Sequence, residues 1–147
     1  MPKLKQISVF LENSPGRLYA VTKALGDAGI NLRALSLVDT AGFGVLRLLV
    51  SDVAKARRVV MGLHLPARID EVVAVEIPDR PGSLAAVLEP VNQAGINVEY
   101  MYAFTGFSSD KAVMVFRFSD NDQAIRVLGE QGVRVLDARA FGMLESA

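Results

Sequence analysis

The chain has 147 residues, 51% of them apolar, and its 16 Lys and Arg balance 16 Asp and Glu, so a folded core is available and disorder is not expected. With no cysteine and one histidine, His64, it has no disulfide, no thiolate nucleophile, no cysteine-based zinc site and no multi-histidine metal site of its own. No apolar run approaches the ~20 residues of a membrane helix, and neither half is basic enough for a nucleic-acid footprint.

Met1-Pro2-Lys3-Leu4-Lys5 leads straight into an alternating strand with no signal-peptide pattern, so a soluble cytoplasmic protein is expected. That strand covers residues 4–11, with Ile7, Val9 and Leu11 on one face. Asn13 or Ser14 is expected to cap a helix opening at Pro15, where the missing N–H costs nothing. Leu18, Val21 and Leu25 give the helix its inward spacing, and Gly29 is a natural left-handed stop. Residues 31–39 and 44–51 read as strands joined by a turn around Thr40-Ala41-Gly42. Asp52 opens a second helix to about Leu63, with Val53, Ala56, Val59 and Val60 inward, and a short strand follows at 67–71.

The same order then returns. A strand at 72–77 precedes a helix at 81–94 with Leu84, Val87, Leu88 and Val91 inward. Strands at 97–105 and 111–119, a helix at 120–131 and a strand at 132–140 complete it. Pro90 lies inside the third helix and is expected to bend it.

The repetition is also literal. Ser14-Pro15-Gly16-Arg17-Leu18 matches Arg80-Pro81-Gly82-Ser83-Leu84, and Ala28-Gly29-Ile30-Asn31 matches Ala94-Gly95-Ile96-Asn97, both at an offset of 66. From Asp120 the offset is 68, which puts two extra residues in the turn around Gly106–Asp110, where insertions are tolerated. A gene-level duplication follows. The chain is read as two domains, 1–70 and 71–147, each a β-α-β-β-α-β unit of the ferredoxin-like α+β class. Units of this size are marginal alone and should pack on each other or on another chain.

The two copies are not chemically equal. Residues 1–70 hold ten Lys/Arg and five Asp/Glu, net +5, and residues 71–147 hold six and eleven, net −5, which favours pairing of unlike halves. Residues 113–118 and 45–50 are largely apolar on both faces, whereas helices cover only one face of such a sheet. A homodimer stacked sheet to sheet would cover the other. Tyr100, Tyr102 and Phe104 share a strand face and are expected to pack under the helices. Arg33 and Glu99 occupy equivalent positions in their repeats and are expected to pair and set register. His64 is expected to be a solvated surface residue.

The loop before the first helix is the best candidate site. Gly16 lets a ligand approach the backbone, the helix N-terminus offers unpaired N–H groups to a carboxylate, and the Asn13 amide supplies both donors and an acceptor. Asn31 opens the next strand, which in this strand order is not a neighbour of the first. It could face the loop of the other repeat across an interface. A purely structural account also exists, with Asn13 and Ser14 as helix caps and Gly29 with Asn31 as a helix exit.

The pattern strand, [Asn/Asp]-x-Pro-Gly-x-Leu, helix, Ala-Gly-Ile-Asn, strand resembles the ACT domain, a small-molecule regulatory module of amino-acid metabolism. Asn13-Ser14-Pro15-Gly16-Arg17-Leu18 with Gly29-Ile30-Asn31 carries the likeness in one repeat. Asp79-Arg80-Pro81-Gly82-Ser83-Leu84 with Gly95-Ile96-Asn97 carries it in the other. The resemblance implies two ACT units side by side with a continuous eight-stranded antiparallel sheet. It also implies a free amino acid bound where units meet, with no cofactor and no metal. Residue by residue, it assigns ligand binding to Asn13, Ser14, Gly16 and Asn31, and to Asp79, Gly82 and Asn97. Asp79 stands where Asn13 stands, and a carboxylate repels the acid group of an amino acid, so the Asn13 loop is favoured. These 147 residues show no catalytic or DNA-binding domain, so the expected action is on a separate partner, such as a regulated enzyme.

Three other functions compete. An acylphosphatase-like hydrolase shares the topology, but Arg17 beside Pro15-Gly16 is only a faint echo of its phosphate-cradling arginine. An RNA-binding module would need exposed aromatics on the first and third strands, which are absent. A ligand-free dimerisation module fits the fold without using the loops.

Overall fold

The computed structural model describes residues 2–108 and 110–144, with side chains described at all of these except 105–108. Its contacts divide the chain into two compact units. The first comprises Lys5–Asp70 together with the C-terminal stretch from Ala138, and the second comprises Glu71–Asp137 together with the residues up to Leu4.

In the first unit, β1 (Lys3–Glu12), α1 (Arg17–Asp27), β2 (Leu32–Thr40), β3 (Phe43–Val50), α2 (Val53–Gly62) and the start of β4 (Ala67–Pro78) follow in order. The strands lie β2-β3-β1-β4. Ile7 pairs with Leu48, Val9 with Leu46 and Leu11 with Gly44. Ile7, Val9, Leu46 and Leu48 are fully buried together with Val21 and Leu25 of α1 and Ala56 and Val60 of α2. Each large apolar side chain so buried contributes about 1.5–3 kcal/mol. Ala41 and Gly42 both have positive φ (46° and 95°), the conformation whose twist suits a two-residue hairpin.

The second unit runs from the rest of β4 through α3 (Ser83–Gln93), β5 (Val98–Ser108), β6 (Lys111–Phe118) and α4 (Asn121–Glu130) to β7 (Arg134–Leu136). Its strands lie β7-β4-β6-β5, the same order in its own numbering. Val73, Val75 and Ile77 of β4, Phe116 and Phe118 of β6, and Val87, Val91, Ala124 and Leu128 of the helices form its core. Both units are therefore α+β and ferredoxin-like.

Several expectations change. The eight strands become seven among the described residues, because the predicted strands at 67–71 and 72–77 are one, β4. No glycine or proline between Asp70 and Val72 turns the chain. The last predicted strand shortens to three residues, followed by a 3-10 turn at Arg139–Phe141. Phe141 of this turn and Met143 after it are buried, and the Leu144 N–H donates to the Ser51 carbonyl (2.8 Å).

Tyr100, Tyr102 and Phe104 do not pack under the helices. They stand opposite Arg117, Val115 and Val113, whereas Met101 stands opposite Phe116, which with Met101 belongs to the helix-covered core. The three aromatics thus lie on the face away from α3 and α4. On that face Val113 and Val115 are fully buried. Arg33 and Glu99 each have a neighbour within their own unit. Glu99 accepts from Arg117 Nε (3.0 Å), and the Arg33 guanidinium lies against Gly142, where an added Cβ would sit 2.7 Å from Nη2.

Candidate functional site

The two loops that precede α1 and α3 are built alike, bond for bond. Asn13 N–H donates to the Gly42 carbonyl (3.1 Å), Ser14 N–H to Glu12 (2.9 Å) and Arg17 N–H to Ser14 (3.4 Å). In the other repeat Asp79 N–H donates to Asp110 (2.9 Å), Arg80 N–H to Pro78 (3.0 Å) and Ser83 N–H to Arg80 (3.2 Å). Each loop ends in a left-handed glycine, Gly16 at φ 87° and Gly82 at φ 85°, a conformation that glycine adopts without a steric cost.

The predicted cap is replaced. α1 begins at Arg17 with Gly16 as its N-cap, and no side chain bonds its first N–H groups; α3 begins at Ser83 after Gly82 in the same way. Asn13 and Ser14 are therefore not spent on capping. By contrast, α2 and α4 are capped by aspartate side chains. The Asp52 carboxylate accepts from Lys55 N–H (3.1 Å) and that of Asp120 from Gln123 N–H (3.0 Å).

Asn13 and Ser14 line a pocket of about 200 Å³. Leu11, Leu18 and Leu37 form its apolar wall, and Glu12, Arg17 and Asp39 bring charge to it. Gly44, opposite both Leu11 and Asp39 in the ladders, keeps one side low. Arg17 Nη2 lies 3.4 Å from Glu12 Oε2, and both side chains are more than half exposed. An ion pair of this kind is worth about 0–1 kcal/mol, so a ligand can displace it. The set matches a zwitterion. Two carboxylates suit an ammonium, while a guanidinium and an uncapped helix N-terminus suit a carboxylate.

Asn31 is not in this pocket. It precedes β2 at the end of the sheet away from the Asn13 loop. Asp39, which lines the pocket, is eight residues further along the strand, roughly 26 Å at strand rise. Asn31 is held through its backbone. Its N–H donates to Ser51 Oγ (2.9 Å) and its carbonyl accepts from Ser51 N–H (2.9 Å). Asn97 repeats the arrangement with Ser119 (3.0 and 2.8 Å).

In the second repeat the positions of Glu12, Arg17 and Asp39 hold Pro78, Ser83 and Thr105, so the three charges are missing. The cavity nearest that loop, about 550 Å³, is lined by Pro78, Arg80 and Ser83 but not by Asp79 or Gly82. Glu12, Arg17 and Asp39 are the charged pocket residues that sequence reading did not assign to the site. Glu12 adjoins the motif, but Asp39 enters only through the β2–β3 register.

Comparison with known proteins places these features in context. A family model described as an ACT domain pair matches residues 2–143. The chain is similar to protein BT0572 from Bacteroides thetaiotaomicron, with 41% identity over 97% of each chain and a TM-score of 0.90. It shares its fold with the regulatory subunit of aspartate kinase from Thermus thermophilus, at 16% identity over 86% of this chain and 91% of that one, TM-score 0.63. A structure of aspartokinase alpha and beta subunits matches at 19% identity over 97% and 94%, TM-score 0.60. No curated protein matches the sequence.

Proposed function

This chain belongs to the family of ACT domain pairs, and we propose that it is a non-catalytic regulatory protein that binds a free amino acid at the Asn13 loop and acts on a separate partner. One observation carries this reading. Asn13 lines a charged pocket while the capping role that would explain it structurally is taken by Gly16. The pocket supplies opposite charges within reach of one small molecule, which an α-amino acid needs and a simple anion does not. Glu12 and Asp39 line the pocket beside Arg17 and would repel a phosphate, which disfavours the acylphosphatase-like alternative.

The second loop, with Asp79 and Gly82, keeps the backbone frame without counterparts of Glu12, Arg17 and Asp39 and serves the fold, as does Asn97 through its backbone bonds to Ser119. Similarly folded chains that are regulatory subunits of aspartate kinase favour an enzyme as the partner, as an analogy of fold. The β2 edge is a surface at which the chain self-associates. Leu35 and Leu37 are each about half exposed there, and an edge strand presents unpaired backbone groups to another copy.

Thermal-shift screening of the twenty amino acids tests the proposal. One of them at a hundredfold excess over its dissociation constant should stabilise the fold by roughly 2.7 kcal/mol. If none moves the transition at several millimolar, a ligand-free dimerisation module is the better account.

A further inference from the structure

We propose that a second cavity, on the α2 face of the first unit, binds a small phosphorylated molecule with an apolar body. This site is separate from the Asn13 pocket and does not rest on the amino-acid reading. The cavity has a volume of about 660 Å³, within the roughly 300–1,000 Å³ typical of small-molecule sites. Lys5 enters it from β1, and Arg57 and Arg58 enter it from α2. Val53, Met61 and Ile69 supply apolar surface, and no carboxylate among the described residues lines it.

The charge of this cluster is unanswered. Lys5, Arg57 and Arg58 form no ion pair with a described residue. Lys3, two residues away, is by contrast held by Asp122 at 2.9 Å and by Glu71 at 3.7 Å. Like charges gathered around a concavity repel one another, so their placement there is unfavourable until an anion enters.

The duplication shows that the fold does not require the cluster. Lys5, Arg57 and Met61 correspond to Glu71, Ile125 and Gly129 in the second repeat, and only Arg58 is matched, by Arg126. α4 folds on its own sheet without the cationic set.

Phosphate is the anion that best fits these groups. Guanidinium forks meet phosphate oxygens in pairs, and a lysine adds a point charge. Three cations can answer two or more negative charges. Inorganic phosphate alone would leave the apolar wall wet, including Met61, which is 57% exposed. A neutral apolar ligand would bury cations without counter-charge.

Isothermal titration of the full chain with ADP, pyrophosphate and adenosine tests this. ADP should bind saturably in the micromolar to millimolar range and weaken as salt rises. It should lose about tenfold or more in affinity in the double variant Arg57→Ala/Arg58→Ala. Pyrophosphate should bind more weakly than ADP, and adenosine should give no saturable heat. Both arginines are exposed and alanine is a good helix former, so the variant should keep the wild-type melting temperature. Asn13→Ala should leave ADP binding unchanged, which separates failure here from failure of the amino-acid site. Absence of saturable ADP binding at millimolar concentration overturns the proposal, as does undiminished binding by the double variant. Pyrophosphate binding as tight as that of ADP overturns the apolar contact.

Discussion

Asn31 and Ser51 are joined twice. The Ser51 hydroxyl accepts the Asn31 N–H at 2.9 Å, and the Ser51 N–H returns to the Asn31 carbonyl at 2.9 Å. The strand that follows Asn31 is thereby anchored to the residue before the Asp52 cap. The same clasp joins Asn97 to Ser119. In both, the asparagine contributes its backbone and the serine its side chain, so the fold uses the serine's identity and not the asparagine's.

Ser51→Ala and Ser119→Ala should each lower stability by about 1 kcal/mol, the net worth of one hydrogen bond. Asn31→Ala should stay within about 0.5 kcal/mol of the parent. Urea denaturation of the three variants checks this. A larger loss from Asn31→Ala than from Ser51→Ala would show that the asparagine side chain has a structural role.

Gly16 and Gly82 have left-handed φ, and a Cβ at either would meet nothing within 4 Å. Substitution by alanine therefore carries only the backbone penalty, about 1–2 kcal/mol each. The two should differ in binding. Gly16→Ala disturbs the charged loop and should weaken amino-acid binding, whereas Gly82→Ala should leave it unchanged. Chemical denaturation paired with titration reads both effects.

Lys3 carries the pH prediction. Its hydrogen bond to Asp122, with the further pull of that carboxylate and of Glu71, outweighs its partial desolvation and raises its pKa above the usual 10.5. A raised amine pKa stabilises the fold at all pH values below the unfolded one and ceases to do so as pH climbs through the folded one. Lys3→Met should therefore be less stable than the parent at neutral pH, and the gap should shrink at a pH above the usual 10.5, as the raised pKa is passed. Added salt should narrow it at any pH. Urea midpoints at the two pH values measure the gap.

The fold was largely legible because its elements obey the two periods that side chains impose. Ile7, Val9 and Leu11 alternate, and Val53, Ala56 and Val60 follow the helical repeat. Asp52 and Asp120 announced their helices correctly, since an aspartate before an apolar run has little other use there. Asn13 and Ser14 gave the same signal and misled, because the neighbouring glycine took the cap in a conformation the letters do not show.

The facing of Tyr100, Tyr102 and Phe104 was not legible. β5 and β6 are apolar on both sides, and alternation then carries no sign. A register shift between Val98 and Tyr100 falls in the same strand. For the site, the motif marked Asn13 and Ser14, but the charge of Asp39 reaches the pocket only through pairing across the hairpin. The strand order already separated Asn31 from the Asn13 loop, as the structure has it within the first unit.

The central claim is that the Asn13 loop holds an amino acid. Its most direct test is calorimetric titration of the amino acid that gives the largest thermal shift into the parent, Asn13→Ala and Asp79→Ala proteins. Asn13→Ala should keep the parent's ligand-free melting temperature and lose about tenfold or more in affinity, while Asp79→Ala should bind within about twofold of the parent. An unchanged affinity in Asn13→Ala, or its loss in Asp79→Ala alone, would contradict the account.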